Sequence, residues 1–176
     1  AMIVSERRRR THRRDREVDV AIQVAVCGPR DCTPEERRDA RELGRLLAVR
    51  GAVVVCGGYT GVMEAVAEGA HGAGGTVVGV LSRADREGAN PYLTVAIPTG
   101  AGEARNAIIV NSADAVIVVG GSWGTLSELA LAMRRGRVPV VQLGGWRVYD
   151  ERGEPVPGIR YATSPAHALE LTGLWP

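Results

Sequence analysis

The stretch DAVIVVGGSWGTLSELALAMRR, residues 114–135, contains the pattern that decides the fold. Its first six residues are mostly valine and isoleucine, which is typical of a strand buried on both faces. A glycine-rich turn at 120–125 follows at once, and the amphipathic segment after it predicts a helix through Arg135. Strand, glycine turn and helix in this order form the repeating unit of open α/β sheets.

The same order recurs on both sides of this stretch. Further strands are predicted at residues 20–26, 52–56, 76–81, 92–97 and 138–143, and further helices at 34–50, 62–71, 103–112 and 165–171. The first helix has a capping-box start, with Thr33 as N-cap, Pro34 next and Glu36 reaching back. The pattern predicts one domain over residues 18–176, an open, mostly parallel Rossmann-like α/β sheet with helices on both faces.

The positive charge of the chain is concentrated in an arginine-rich N-terminal tail, residues 1–17. Residues 1–16 hold seven arginines against two acidic residues, whereas the remaining 160 residues hold 15 arginines against 18 acidic ones. The domain is therefore mildly acidic, and we do not expect it to bind nucleic acid. The tail alone keeps a nucleic-acid role open as a weaker alternative.

The residue types that are missing exclude several kinds of chemistry. All 22 basic residues are arginine, so the chain has neither a Schiff-base lysine for pyridoxal phosphate nor a P-loop lysine. The three cysteines form no CxxC pair and no histidine cluster accompanies them, which argues against disulfides and structural zinc. No run is long enough to span a membrane, and the start lacks the apolar core of a secretory signal. We expect a cytoplasmic protein that requires no metal or other cofactor.

Three glycine-containing turns follow predicted strands, where open α/β sheets bind their ligands. Such a turn presents bare backbone N–H groups and the positive end of a helix, a combination that suits phosphate. A single turn of this kind also occurs for structural reasons alone, but two in one sheet favour a ligand. The candidate ligand-binding residues are Gly28, Gly57, Gly58, Tyr59, Thr60, Gly61, Gly120, Gly121, Ser122, Trp123, Gly124 and Thr125.

Two charged residues near the last turn are candidates for chemistry. Glu128 lies three residues after Thr125, so it either completes a capping box or contacts the sugar of a ligand whose phosphate sits on the turn. Arg105 either lies on the surface or binds phosphate or carboxylate in a planar, bidentate manner. The aromatic rings of Tyr59 and Trp123 either stack on a flat ligand ring or cover the edge of the sheet.

Two segments resemble those of the LONELY GUY phosphoribohydrolases. CGGYTGVMEAVA at residues 56–67 is similar to their GGxxGLM segment, and GGSWGTLSE at 120–128 is similar to their PGGxGTxxE motif. GANPYL at 88–93, with Thr99-Gly100, resembles more narrowly the proteins that group with the molybdenum cofactor carrier protein. Members of this superfamily are often labelled lysine decarboxylases, a label that the missing lysine contradicts.

The resemblance implies two classes of function, which both stay open. The carrier proteins imply binding of a phosphorylated ligand, an AMP-like nucleotide, phosphate or a molybdopterin-type molecule, without turnover. The phosphoribohydrolases imply hydrolysis of the N-glycosidic bond of a nucleoside 5′-monophosphate, with Arg105 and Glu128 at the positions of their catalytic pair. Three parts of the sequence depart from that family's pattern: Val119, Met63-Glu64 and Asn106. These departures weaken the inference about the substrate more than the inference about the ligand site. Both families imply a homodimer or homotetramer.

Overall fold

The computed structural model describes residues 20–176, so the arginine-rich tail at 1–17 lies outside the described residues. One seven-stranded sheet runs through the domain. Its strands are β1 (Gln23–Cys27), β2 (Val53–Cys56), β3 (Val77–Leu81), β4 (Val95–Pro98), β5 (Ala115–Val119), β6 (Val140–Leu143) and β7 (Ile159–Ala162). The helices are α1 (Pro34–Val49), α2 (Val62–Gly72), α3 (Asn106–Asn111), α4 (Trp123–Arg135) and α5 (Pro165–Thr172), and a 3-10 turn, Gly102–Arg105, precedes α3.

Every pairing in the sheet is parallel, and the strand order is β4-β3-β2-β1-β5-β6-β7. This confirms the predicted Rossmann-like α/β class. The order reverses between β1 and β5, which are neighbours although 87 residues of chain separate Cys27 from Ala115. The carboxyl ends of these two strands form the switch point, where such sheets bind ligands.

Apolar side chains fill both faces of the sheet. One core cluster joins the sheet to α1, α2 and α5, and it includes Leu43, Val66 and Leu169. The second cluster joins it to α3 and α4, and it includes Ile109 and Leu129. All five side chains of β5 are buried, as expected for a central strand with helices on both faces.

The predicted start of α1 is confirmed in detail. Thr33 Oγ1 accepts a hydrogen bond from the Glu36 N–H at 3.1 Å, and Glu36 Oε2 accepts one from the Thr33 N–H at 2.8 Å. Both halves of the capping box are therefore formed, and Pro34 occupies the first helical turn.

Three elements differ from the prediction. The strand expected at 92–97 starts only at Val95, because Tyr92 and Leu93 pack into the core from the preceding loop. The helix expected at 103–112 is divided into the 3-10 turn and the short α3. Strand β7 was not predicted, because its four residues are too short for a periodic pattern and only Ile159 is buried.

The contact between α1 and α2 depends on two glycines. A Cβ on Gly44 would overlap the carbonyl oxygen of Val66, and a Cβ on Gly69 would overlap that of Arg41. The two helix backbones therefore approach more closely than any side chain would allow.

Gly69→Ala is expected to lower the free energy of unfolding by about 1–3 kcal/mol, because the added methyl group forces α1 and α2 apart. Gly72, at the end of the same helix, is the matched control, since a Cβ there meets no heavy atom within 4 Å. Gly72→Ala should leave stability unchanged or raise it by up to about 1 kcal/mol. Urea unfolding followed by circular dichroism measures both, and equal losses would contradict this account.

Candidate functional site

A cavity of about 330 Å³ opens at the switch point between β1 and β5. Three parts of the chain surround it: the turn after β1, the 3-10 turn before α3, and the start of α4. Its lining residues are Gly28, Pro29, Arg30, Asp31, Met63, Glu103, Arg105, Asn106, Gly121, Ser122, Gly124, Thr125 and Glu128. The sheet topology thus brings together Arg105, Glu128 and five of the predicted ligand-binding residues. We call this space the switch-point cavity.

A capping box that includes Glu128 would need Thr125 as the N-cap of α4, but the helix starts about one turn earlier. Ser122 is the N-cap, and its hydroxyl accepts a hydrogen bond from the Thr125 N–H at 3.2 Å and lies 2.9 Å from Thr125 Oγ1. The capping-box interpretation of Glu128 is therefore wrong, because Thr125 is already the third residue of the helix. Glu128 lies about 4.5 Å further along the axis, and only 8% of its surface is exposed.

Arg105 and Asn106 are buried beside this cavity, with 5% and 3% of their surfaces exposed. The Arg105 Nη1 donates to the carbonyl oxygen of Val80 at 2.5 Å, and its guanidinium fills the space that a side chain at Gly57 would occupy. The Arg105 Nε and the Asn106 Oδ1 have no hydrogen-bond partner within residues 20–176. The alternative of a surface arginine is therefore wrong.

Burial raises the pKa of Glu128 to about 7, although the positive charge of Arg105 and the Cys27 thiol act in the opposite direction. No arginine nitrogen in the described part of the chain lies within 4.0 Å of this carboxylate. Glu128 is thus a buried carboxyl without a direct ion pair, and it changes its charge near neutral pH.

The residues of the second glycine turn, 57–61, pack against neighbouring parts of the chain and do not line the switch-point cavity. Gly57 makes room for Arg105, Gly58 packs at positive φ against Leu81, and Gly61 lies against the carbonyl groups of Pro29 and Arg30. None of the five turn residues lines the switch-point cavity. Tyr59 and Thr60 instead line a neighbouring cavity.

Two other predicted residues, Gly28 and Gly120, pack at the strand ends, whereas a third, Trp123, is exposed. A Cβ on Gly28 would lie 2.7 Å from the carbonyl oxygen of Val119, and one on Gly120 would overlap the Glu36 carboxylate. Trp123 is 79% exposed and contacts Trp146 edge to face, with 5.1 Å between the ring centroids. Trp123 does not line the switch-point cavity.

Sequence reasoning missed several lining residues, above all Asn106, Arg30 and Asp31. Arg30 and Asp31 directly follow the Gly28 turn at the end of β1, so their position beside a strand end was the available signal. Asn106 follows Arg105 in the chain, and no sequence pattern distinguishes it from a surface residue. Only the structure shows that it is buried. Pro29, Met63 and Glu103 complete this group of missed residues.

Two of the three cysteines lie in the hydrophobic core. Cys27 and Cys56 end the neighbouring strands β1 and β2, and both are buried. Burial raises the pKa of Cys56 to about 11 and that of Cys27 well above its ordinary value, so neither is a ready thiolate. Within residues 20–176, no cluster of three or more histidine, cysteine or acidic side chains is arranged to hold a metal ion. No helix of this region has the length and apolarity needed to cross a bilayer.

The sequence and the fold of this chain are both similar to those of known proteins. The model of the SLOG cluster4 family matches residues 21–169. An uncharacterized protein of Archaeoglobus fulgidus is 42% identical over 140 residues, which cover 77% of this chain and 92% of the relative. The solved structure of the molybdenum cofactor binding protein from Rippkaea orientalis is similar with a TM-score of 0.78 and 34% identity, covering 87% of this chain and 96% of that one.

A curated enzyme is also similar over a shorter region. The cytokinin riboside 5′-monophosphate phosphoribohydrolase of Mycobacterium tuberculosis is 35% identical over 119 residues, which cover 63% of this chain and 64% of the enzyme. The predicted likeness to both the phosphoribohydrolases and the molybdenum cofactor proteins is confirmed.

The raised pKa of Glu128 should make stability depend on pH. Between its ordinary value near 4.5 and about 7, the folded protein holds a proton that the unfolded chain releases, so stability falls as pH rises through this range. Glu128→Gln removes this loss, and its stability relative to the wild type should rise by up to about 3 kcal/mol between pH 5 and pH 8.

Chemical unfolding at several pH values measures this difference. Glu42→Gln is the control, because a hydrogen bond from Arg45 lowers the pKa of Glu42 and its small pH effect has the opposite sign. A Glu128→Gln difference that is the same at pH 5 and pH 8 would contradict the raised pKa.

Proposed function

Because the chain belongs to the SLOG cluster4 family, we propose that it binds a small phosphorylated ligand, a nucleotide or a molybdopterin-type molecule, in the switch-point cavity. The volume of about 330 Å³ falls within the usual range for ligand pockets. The name of the Rippkaea protein supports a ligand of the molybdenum cofactor type, and that of the mycobacterial enzyme supports a nucleoside monophosphate.

The pair of unpartnered polar atoms on Arg105 and Asn106 carries this proposal. A buried donor or acceptor without a partner costs about 1–3 kcal/mol, so folded proteins rarely retain one without a reason. Here two of them, the Arg105 Nε and the Asn106 Oδ1, belong to adjacent residues of one cavity wall. Because both residues line the cavity, a polar ligand that reaches these atoms would provide the missing partners.

The start of α4 is the proposed phosphate subsite. The first-turn N–H groups of Trp123 and Gly124 have no carbonyl one turn earlier to bond, and the positive end of the helix dipole lies there. Ser122, Gly124 and Thr125 line the cavity at this end. The buried guanidinium of Arg105 lies in the same cavity, where it adds positive charge for an anion.

Gly124→Asp is expected to weaken binding of AMP at least about tenfold relative to Gly124→Asn, because it places a negative charge where the phosphate would bind. The fold tolerates both variants, since a Cβ on Gly124 meets nothing closer than the Ser122 Oγ at 3.9 Å. An acidic residue in the first turn of a helix is also favourable.

Isothermal titration calorimetry with AMP, ribose 5-phosphate and inorganic phosphate provides the measurement. Equal affinities of the two variants would show that the phosphate does not bind at the start of α4. Absence of binding by all three probes, together with no thermal shift by a molybdopterin-type ligand, would reject the site itself.

A second function, hydrolysis of the N-glycosidic bond of a nucleoside 5′-monophosphate, is favoured by Glu128. This carboxyl lies about one helical turn from the phosphate subsite, which is where the ribose of a bound nucleotide would lie. Its carboxylate would orient water toward C1′ and stabilise positive charge on the sugar, and the base would leave with a proton. Arg105, in the same cavity, would bind the ligand beside it.

If the chain hydrolyses AMP, Glu128→Gln is expected to lower the rate of adenine release by about 100-fold or more. In the wild type this rate should rise with pH through about 7, because Glu128 acts as the carboxylate. Chromatography of adenine and ribose 5-phosphate measures both effects. AMP binding without adenine release would reject hydrolysis and leave the binding proposal intact.

A further inference from the structure

A second cavity, of about 490 Å³, adjoins the switch-point cavity. It lies beyond the ends of β2 and β3, and we call it the side cavity. Its lining residues are Arg30, Tyr59, Thr60, Ser82, Arg83, Glu87 and Gly88. Arg30 lines both cavities, so the two spaces meet at its side chain.

Arg30 is a cation without a counter-charge at this junction. Its Cζ lies 4.8 Å from the centre of the Tyr59 ring, a distance typical of a cation–π contact. Within residues 20–176, no carboxylate oxygen lies within 4.0 Å of its nitrogens. The aromatic contact holds the guanidinium and leaves its hydrogen-bond donors available to a ligand.

Tyr59 is fixed by its own hydrogen bonds and is only 5% exposed. Its hydroxyl oxygen accepts from the Ser82 and Arg83 N–H groups at 3.1 and 3.2 Å, and from the Ser82 hydroxyl at 3.2 Å. These neighbours hold the Tyr59 ring in place against Arg30.

The charged side chains around the side cavity balance in number, but they are not all paired. The two carboxylates nearest to Arg83, those of Asp85 and Glu87, are both ion-paired with it. Arg30 has no such partner in the described part of the chain. The unpaired cation of this cavity is therefore Arg30, whose guanidinium suits an anionic oxygen.

We propose that the two cavities form one bipartite site, in which the side cavity takes a second anionic group of the same ligand. Arg30 bridges the two compartments, and the start of α4 holds the first anionic group. The ligand class is then a small molecule that carries two separate anionic groups rather than a simple monophosphate. This inference rests on the proposed function, because it extends the same site.

The number of anions bound per chain tests the inference without assuming a spacing between the groups. Equilibrium dialysis with radioactive inorganic phosphate should find two phosphates per wild-type chain. Arg30→Ala should weaken both sites about tenfold or more, since Arg30 lines both cavities. Gly124→Asp should remove only the phosphate at α4. Arg86→Ala is the control for the loss of one positive charge, because Arg86 lies near Arg83 in the chain but lines neither cavity. This variant should still bind two phosphates per chain.

A linked ligand provides the second readout. Adenosine 3′,5′-bisphosphate should bind at least tenfold more tightly than AMP, and Arg30→Ala should reduce this advantage in calorimetry. One phosphate per wild-type chain, removed by Gly124→Asp, would overturn the bipartite site and leave the proposed function standing. Two phosphates that both persist in Arg30→Ala would also overturn it. No phosphate and no AMP binding would overturn both proposals together.

Discussion

The close approach of backbone to backbone at the switch point is the constraint on which the rest of the structure depends. A Cβ on Gly28 would meet the carbonyl oxygen of Val119, and one on Gly61 would overlap the turn after β1. A Cβ on Gly145 would likewise overlap Gly120. Only glycine permits these contacts, and they bring the turns after β1, β2, β5 and β6 together. The switch-point cavity is the space that remains at the end of β1 and β5, open enough for a ligand and surrounded by fixed backbone.

Electrostatics follows from this packing. The guanidinium of Arg105 is buried at the strand ends, and it is bonded to the carbonyl oxygen of Val80 rather than to a carboxylate. Glu128, which lines the same cavity, has no direct ion pair in the described part of the chain, and its burial raises its pKa. A charged donor and a titrating carboxyl thus line one cavity without forming an ion pair, an arrangement typical of functional sites.

Patterns local in sequence predicted much of the fold and part of the site. Apolar runs and the Thr33 capping box identified six strands and the start of α1, because each depends on neighbours within a few residues. Arg105 and Glu128, which the sequence offered as candidates for chemistry, both line the switch-point cavity. Strand β7 was missed because it is short and lies at an edge of the sheet. The buried state of Asn106 and the position of Arg30 between two cavities depend on contacts between distant turns, which no local pattern contains.

The protonation state of Glu128 also bears on whether the protein only binds its ligand or hydrolyses it. A phosphate at the start of α4 brings negative charge within about one helical turn of a carboxyl that already titrates near pH 7. Like charge raises the pKa of a carboxyl, so a phosphate bound there would favour the protonated form of Glu128. A protonated carboxyl does not repel the phosphate, which helps binding, but it cannot act as the anion that hydrolysis needs. The same burial that makes the cavity compatible with a phosphorylated ligand therefore opposes cleavage, and this favours a protein that holds its ligand intact.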